Sequence, residues 1–452
     1  VFGQNRNVAE RWLISLCFAA SCASAGCVVT PRAQFAFDGR RNPPAVFEVD
    51  GAPLCFVGAN NYYLSYEPHA MVDDVLESAQ AMGAKVVRTW GFIDRGSLDG
   101  SVPSVDDDTA KNGFYFQAWD STLKHTVYND GPRGLEGLDY ALAKARLLNL
   151  RMVLVLTNNW REFGGMDQYL RWYGLTAHES FYTEPRIKRA FKDWLWHLVM
   201  RVNVITQQAY RDDPTIFAWE LANEPRGSTG TPSEVITGWA AEMSSYLKSI
   251  DPQHLVAVGD EGFMSGASQH WTYHANNGVD HRALSALPNV DYATFHMYPD
   301  TWGTGFTWSE HWIDDHVRVA RELGKPSVLE EYGLKVTRDE LGRVDQGLDA
   351  RLARYASWNE RILGRGGNAA MFWLLVGKDA NGGAYQDYDH FSVYPGDETS
   401  ELLRGYAQRF STLAPACVDA AHSQPQSRSE FVHVRLARPS ALGWLPDALD
   451  KG

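Results

Sequence analysis

The chain has 452 residues, with 42 basic and 55 acidic side chains and a formal net charge of −13. That balance argues against a binder of nucleic-acid phosphates, which carries a basic footprint. Its 16 Trp, 20 Tyr and 20 Phe exclude disorder for the bulk of the chain. The length fits about three ordinary domains, or one elaborated barrel of about 400 residues.

The N-terminus reads as a targeting segment. Arg6 and Arg11 precede the apolar run 12–26 (WLISLCFAASCASAG), too short to span a bilayer and suited to a signal peptide over 1–27. The run ends Ser24-Ala25-Gly26-Cys27, which resembles a bacterial lipoprotein cleavage site with Cys27 as the lipidated residue. Ser24 stands where Leu is usual, and a plain secretory signal cut near Ala25 is the other reading. Either predicts an extracellular protein, secreted or lipid-anchored to the cell envelope. No CxxC pair occurs among Cys17, Cys22, Cys27, Cys55 and Cys417, so no zinc ribbon or thioredoxin site is expected. In an exported protein Cys55 and Cys417 are candidates to pair.

Residues 28–45 are aperiodic and read as a tether. Beyond them, continuous apolar runs alternate with helical patterns. The predicted strands are 54–59 (LCFVGA), 85–90 (KVVRTW), 152–157 (MVLVLT), 216–221 (IFAWEL), 255–258 (LVAV), 292–296 (YATFH), 327–330 (SVLE) and 369–374 (AAMFWL). Unbroken apolar runs suit parallel strands buried on both faces. Helices are predicted over 72–82, 134–148, 232–249, 309–323, 347–363 and 398–411. One more carries the stripe Ile187, Phe191, Trp194, Leu195, Leu198, Val199 and Val202, with Thr183 as N-cap and Pro185 in its first turn. Residues 97–114 read as a long surface loop, and 417–452 as a poorly ordered tail. Strands alternating with helices predict an α/β chain folded as a (β/α)8 TIM barrel, one catalytic domain over 46–416. A doubly wound sheet is the alternative, but no GxGxxG or GxxxxGK[ST] is present.

Catalysis in such a barrel sits at the C-terminal ends of the strands. Those ends carry Asn60-Asn61-Tyr62-Tyr63, Arg88-Thr89-Trp90, Asn158-Asn159-Trp160, Asn223-Glu224-Pro225-Arg226, Asp260-Glu261, His296-Met297-Tyr298 with Trp302, Glu330-Glu331 and Trp373. Glu224 and Glu331 would face each other from the fourth and seventh strands. Two carboxyl groups about 5–5.5 Å apart suit hydrolysis of a glycosidic bond with retention. Arg88 and Tyr298 would keep the nucleophile ionised, while burial and a neighbouring carboxylate would keep the acid protonated. Trp faces suit the apolar faces of sugar rings. Each residue taken singly has a plainer reading: a strand-end Glu as a surface ion-pair partner, Trp373 as core, His296 as a satisfied buried histidine. Their joint occurrence at one barrel end favours a site. No HExxH is present, the His311…His316 spacing is no zinc motif, and Gly262–Gly266 lacks nucleophile-elbow spacing.

The stretches GANNYYL (58–64), VVRTWGF (86–92), NNW…GGMDQY (158–169), DDPTIFAWELANEPR (212–226), GDEGF (259–263), FHMYPDTWG (295–303), GKPSVLEEYG (324–333) and FWLLVG (372–377) resemble glycoside hydrolase family 5, and more narrowly its endo-β-1,4-mannanases. The resemblance implies Glu224 as acid/base and Glu331 as nucleophile, with Glu330 turned to the other face of its strand. It implies that Arg88, Asn223, His296 and Tyr298 orient the carboxylates and the sugar. Trp373 would be the platform before the scissile bond, and Trp90, Trp160, Arg226, Glu261 and Trp302 would line neighbouring subsites. The wider family often has a His after strand 3, where this chain has Asn158-Asn159-Trp160, as mannanases tend to. The expected function is retaining endo-hydrolysis of mannan, galactomannan or glucomannan by a monomer that needs no metal or organic cofactor. An exo-acting β-mannosidase, a β-1,4-glucanase and a non-catalytic glycan binder are the alternatives.

Overall fold

The computed structural model describes residues 45–49, 51–106, 113–266, 268, 270–338, 344–419 and 433–436, with side chains beyond 412 left out. The expected leader at 1–27 with Cys27, and the tether up to residue 44, lie outside the described residues.

Eight strands line the core: β1 (Phe56–Asn60), β2 (Val86–Trp90), β3 (Arg151–Val155), β4 (Ile216–Glu220), β5 (Leu255–Ala257), β6 (Ala293–Met297), β7 (Ser327–Tyr332) and β8 (Ala369–Phe372). They are hydrogen-bonded in the order β5-β4-β3-β2-β1-β8-β7-β6, every pair parallel. Asp291 N to Val256 O (2.8 Å) and His296 N to Glu261 O (3.1 Å) bridge the remaining edge. Helices α1 (His69–Ala81), α2 (Leu135–Leu147), α3 (Pro185–Met200), α4 (Ser233–Ile250), α5 (His281–Ser285), α6 (Phe306–Leu323), α7 (Leu348–Arg365) and α8 (Glu398–Asp419) alternate with the strands. The fold is the expected (β/α)8 barrel. The five-residue α5 escaped prediction because it is too short to show a helical period. No helix among the described residues is long and apolar enough to cross a membrane.

Helix α3 buries Ile187, Phe191, Trp194, Leu195, Leu198 and Val199 along the expected stripe. Its N-cap is Glu184 rather than Thr183: the Glu184 side chain accepts from Arg186 N, and Thr183 ends a separate turn, Ser180–Thr183. Val202 falls outside the helix and bridges to Ala209. The expected loop at 97–114 is framed by a small sheet of Asp94–Ser97, Gln117–Asp120 and His125–Tyr128, whose strands are too short and polar to announce themselves. Within the expected tail, α8 runs on to Asp419, and His433–Leu436 pairs in parallel with Val46–Val49. Such a strand is specified by the edge it joins, not by its own four residues. Cys55 is disulfide-bonded, and the side chain of Cys417 lies outside those described.

The barrel interior is layered. Val46–Val49 and Ala52–Leu54 form a hairpin, and its Phe47 ring plugs the bottom, 5.1 Å from Phe217, 5.4 Å from Tyr292 and 6.0 Å from Phe56. Val86, Val153, Leu255, Val328 and Met371 complete this apolar floor. Above it the interior turns polar and leads to the mouth. Phe47 is fully buried, so Phe47→Ala should cost about 3–5 kcal/mol. Urea unfolding measures this, and a loss under about 1 kcal/mol would show that the floor does not depend on the ring.

Candidate active site

Alternation along the strands decides which side chains enter the barrel. On β2, Val86 joins the floor, Arg88 the middle layer and Trp90 the mouth, while Val87 packs outward. Strand β7 breaks this rule. Its register with β6 jumps from Phe295↔Leu329 to His296↔Glu331, and with β8 from Leu329↔Ala370 to Tyr332↔Phe372. The bulge turns two consecutive residues to one side. Glu330 is therefore not on the other face, as alternation predicted. It lies inside the barrel, beneath Glu331, with its carboxylate 3.9 Å from Arg88 Nε and 3.7 Å from His296 Nε2.

Arg88 organises the middle layer. Nε and Nη2 donate to the two oxygens of Glu220, each at 2.7 Å. Nη2 also reaches Asn223 Oδ1 (2.7 Å), and Nη1 reaches Asn60 Oδ1 (3.1 Å) and Glu331 Oε1. Burial pushes the Glu220 carboxyl up, and the Arg88 charge pulls against it. Sequence reasoning passed over Glu220, although it is the one acidic residue in the apolar run IFAWEL.

Glu224 sits just beyond β4 with φ 49°, a left-handed backbone that a side chain adopts only under constraint. Its N–H donates to Gly259 O (2.9 Å). Gly259 has φ 84°, and a Cβ there would run into Ala222 O and the Glu220 carboxylate. Glu224 Oε1 is 2.7 Å from His296 Nδ1, and Oε2 accepts from Trp160 Nε1 at 2.6 Å. Burial raises the Glu224 carboxyl, but the bond and charge of His296, then Arg226 and Trp160, outweigh it and hold it down at about 2. This corrects the expectation of a carboxyl kept protonated by burial. Burial lowers His296, yet Glu331, Glu224 and Glu330 raise it well above its ordinary value, so the proton of the pair rests on the imidazole. Glu331 Oε2 accepts from Tyr298 OH at 2.6 Å, and burial and the Glu331 charge push that phenol well up, so it stays a donor.

Oxygens of Glu224 and Glu331 and a nitrogen of His296 lie within 4.8 Å of one another. Three such atoms suit a metal ion, but here they are engaged by Arg88, Tyr298 and each other, an arrangement suited to moving protons. Apart from Arg88 and His296, which stand behind it, all the residues predicted for the site line one cleft of 1250 Å³: Trp90, Trp160, Asn223, Glu224, Arg226, Glu261, Tyr298, Trp302, Glu331 and Trp373. Rings flank the carboxylates on both sides. On the β8–β1–β2 arc, Trp373 lies 6.0 Å from Trp90 and 6.2 Å from Tyr62, and its Nε1 donates to Asp389 (2.8 Å). On the β4–β6 arc, Arg226 is held by both oxygens of Glu261 at 2.5 Å and lies under Trp160 (5.1 Å), Phe263 (4.8 Å) and Trp271 (5.9 Å). Sequence reasoning missed Trp271, Tyr385, Tyr388 and Asp389 as cleft residues because they sit on loops away from the strand ends.

A barrel carrying paired carboxyl groups at its mouth has the constellation that hydrolysis of a glycosidic bond requires. Residues 108–351 match the family model described as GH family 5 beta-mannosidase-like. The chain is 34% identical over 376 residues to mannan endo-1,4-beta-mannosidase F of Aspergillus fumigatus, covering 81% of this chain and 76% of that protein. It is 33% identical to mannan endo-1,4-beta-mannosidase A of Podospora anserina, over 79% and 87% of the two chains. Among solved structures, the endo-beta-1,4-mannanase of Thermotoga petrophila superposes with a TM-score of 0.70 at 40% identity, over 79% and 77% of the chains. That of Rhizomucor miehei gives 0.72 at 33% identity, over 82% and 99%. The chain belongs to glycoside hydrolase family 5.

The depressed Glu224 carboxyl has a consequence for stability. Its folded value of about 2 lies below the ordinary 4.5, so it contributes stability that is present above pH 4.5 and lost as pH falls toward 2. The difference in Tm between the parent and Glu224→Gln should therefore be largest above pH 5 and shrink on acidification. Calorimetry across pH 3–7 tests this, and a gap that widens at low pH would contradict it.

Proposed function

We propose that the protein is a retaining endo-β-1,4-mannanase acting on mannan, galactomannan or glucomannan. The observation that carries the reading is a carboxylate pair within 4.8 Å, set in a cleft lined by aromatic rings from both arcs of the barrel mouth. That spacing suits double displacement, since an inverting pair stands further apart to admit water. Rings in both directions let a polysaccharide lie across the pair, as internal cleavage requires.

Glu331 is the nucleophile. Arg88 and Tyr298 donate to its two oxygens and hold the carboxylate aimed. Glu224 is the acid/base, working with His296. As charge builds on the glycosidic oxygen, the His296 proton passes through the Glu224 carboxyl to the leaving group. Glu224 then takes a proton from water as that water releases the glycosyl-enzyme, and the pair returns to its starting state. Trp373 is the platform for the sugar before the scissile bond, and Trp160, Arg226, Glu261 and Trp302 form the wall for the sugars beyond it. An extracellular setting suits a polymeric substrate, and the leader-like run at 1–27 supports it, with Cys27 as anchor where lipidated.

Glu331→Gln should lower kcat about 1000-fold or more, because the covalent step disappears. Near-parental turnover of mannan by this variant would remove Glu331 from the role. Early products from mannohexaose should span several sizes, whereas mannose alone would establish the exo alternative. Locust bean gum should be cleaved far faster than carboxymethylcellulose; the reverse order would favour a glucanase.

A further inference from the structure

We infer that Glu330 is a positioning residue of the reaction: its carboxylate keeps His296 doubly protonated and so decides where the proton shared with Glu224 lies. The inference rests on the reading of Glu224 and Glu331 as the reacting pair and adds a member to it.

Three observations carry it. Glu330 stands two residues after the floor residue Val328 and points into the barrel, where it is fully buried, and the bulge in β7 brings Glu331 to the same side. A residue there fills space equally well uncharged, so the charge needs its own account. Second, no hydrogen bond reaches either Glu330 oxygen among the described residues, and none reaches His296 Nε2. The two orphaned groups face each other at 3.7 Å. A buried carboxylate without hydrogen bonds persists only where opposite charges hold it. Third, Arg88, the other cation in reach, spends all five N–H donors on Glu220, Asn223, Asn60 and Glu331. It attracts Glu330 through charge alone, whereas His296 has an Nε2 with no other acceptor.

The charges around the imidazole come from every neighbouring strand. Glu224 lies at Nδ1 and Glu331 at 3.6 Å, while Glu220 and Glu261 act from β4 and from beyond β5. Arg88 opposes them from β2, and the neutral phenols Tyr292 and Tyr298 lie just before β6 and just past it. Among these, Glu331 loses its charge when the glycosyl-enzyme forms, and Glu224 changes charge within each cycle. Glu330 takes no part in bond making and stays beside the imidazole throughout. A negative charge at Nε2 raises the ring's hold on its protons, leaving Glu224 as the anion that the second half-reaction needs as its base.

The test is the pH profile of kcat/KM on manno-oligosaccharides for the parent, Glu330→Gln and Glu330→Asp. Glu330→Gln removes the charge at constant shape. The alkaline limb should move down by about one pH unit, with kcat reduced about tenfold and KM within about twofold. Glu330→Asp should keep the limb near its parental position. An unmoved limb in Glu330→Gln overturns the inference, whatever happens to Tm. The imidazole signals of His296 give a second readout that needs no turnover, assigned by their loss in His296→Asn. In the parent they should remain those of an imidazolium at pH 8. A neutral ring at pH 7 in the parent overturns the inference even if Glu330→Gln does not fold. A parent with no activity on mannan but an imidazolium at pH 8 would instead sink the functional reading and leave the role of Glu330 standing.

Discussion

The five N–H donors of Arg88 are the tie on which the mouth of the barrel depends. They reach Glu220 twice, Asn223, Asn60 and Glu331, so one fully buried guanidinium joins β1, β2, β4 and β7. A buried arginine is tolerated only when every donor is met and its charge is balanced. Here both conditions are met by residues around the paired carboxylates at the mouth. Asn223 is the neighbour of Glu224, and Glu331 is itself a partner. The energetic demand of burying Arg88 and the geometric demand of aiming two carboxylates are one constraint.

That layer also sets the proton inventory. His296, Glu224, Glu331 and Glu330 meet within hydrogen-bonding or close Coulombic range in a site largely shut off from water. Low dielectric makes each charge there count for more than at the surface. The bond and charge of His296 hold the Glu224 carboxyl down while the carboxylates around His296 hold the imidazole up, so the two act as a coupled pair. Trp160 adds to this by donating to the second Glu224 oxygen while its ring faces the cleft, which couples the cleft wall to the Glu224 carboxylate.

Much of this was legible in the chain. Continuous apolar runs announced the eight strands, and polar residues at their ends announced Arg88, Asn223, Glu224, His296, Tyr298, Glu331 and Trp373. The excess of Trp resolved into two uses, core for Trp194 and cleft for Trp90, Trp160, Trp302 and Trp373. The loop residues Trp271, Tyr385, Tyr388 and Asp389 were not legible, because a loop's direction is set by what it packs on and not by a period. The strand at 433–436 and the small sheet around 94–128 were hidden for a related reason: short strands take their definition from partners distant in sequence.

The sequence by itself determined the barrel, its two opposed glutamates and the aromatic lining, because these follow from local apolar pattern and position at strand ends. Only the tertiary structure decided that Glu330 and Glu331 share one face and which partner holds the proton. Alternation from the floor residue Val328 sends Glu330 into the barrel and Glu331 outward. The register against β6 and β8 inserts a bulge that brings Glu331 in as well, and register is a property of three strands that no single stretch encodes. The low value at Glu224 likewise arises from His296, Arg226 and Trp160 converging from three other parts of the chain, since a charge's neighbours in space set its proton affinity.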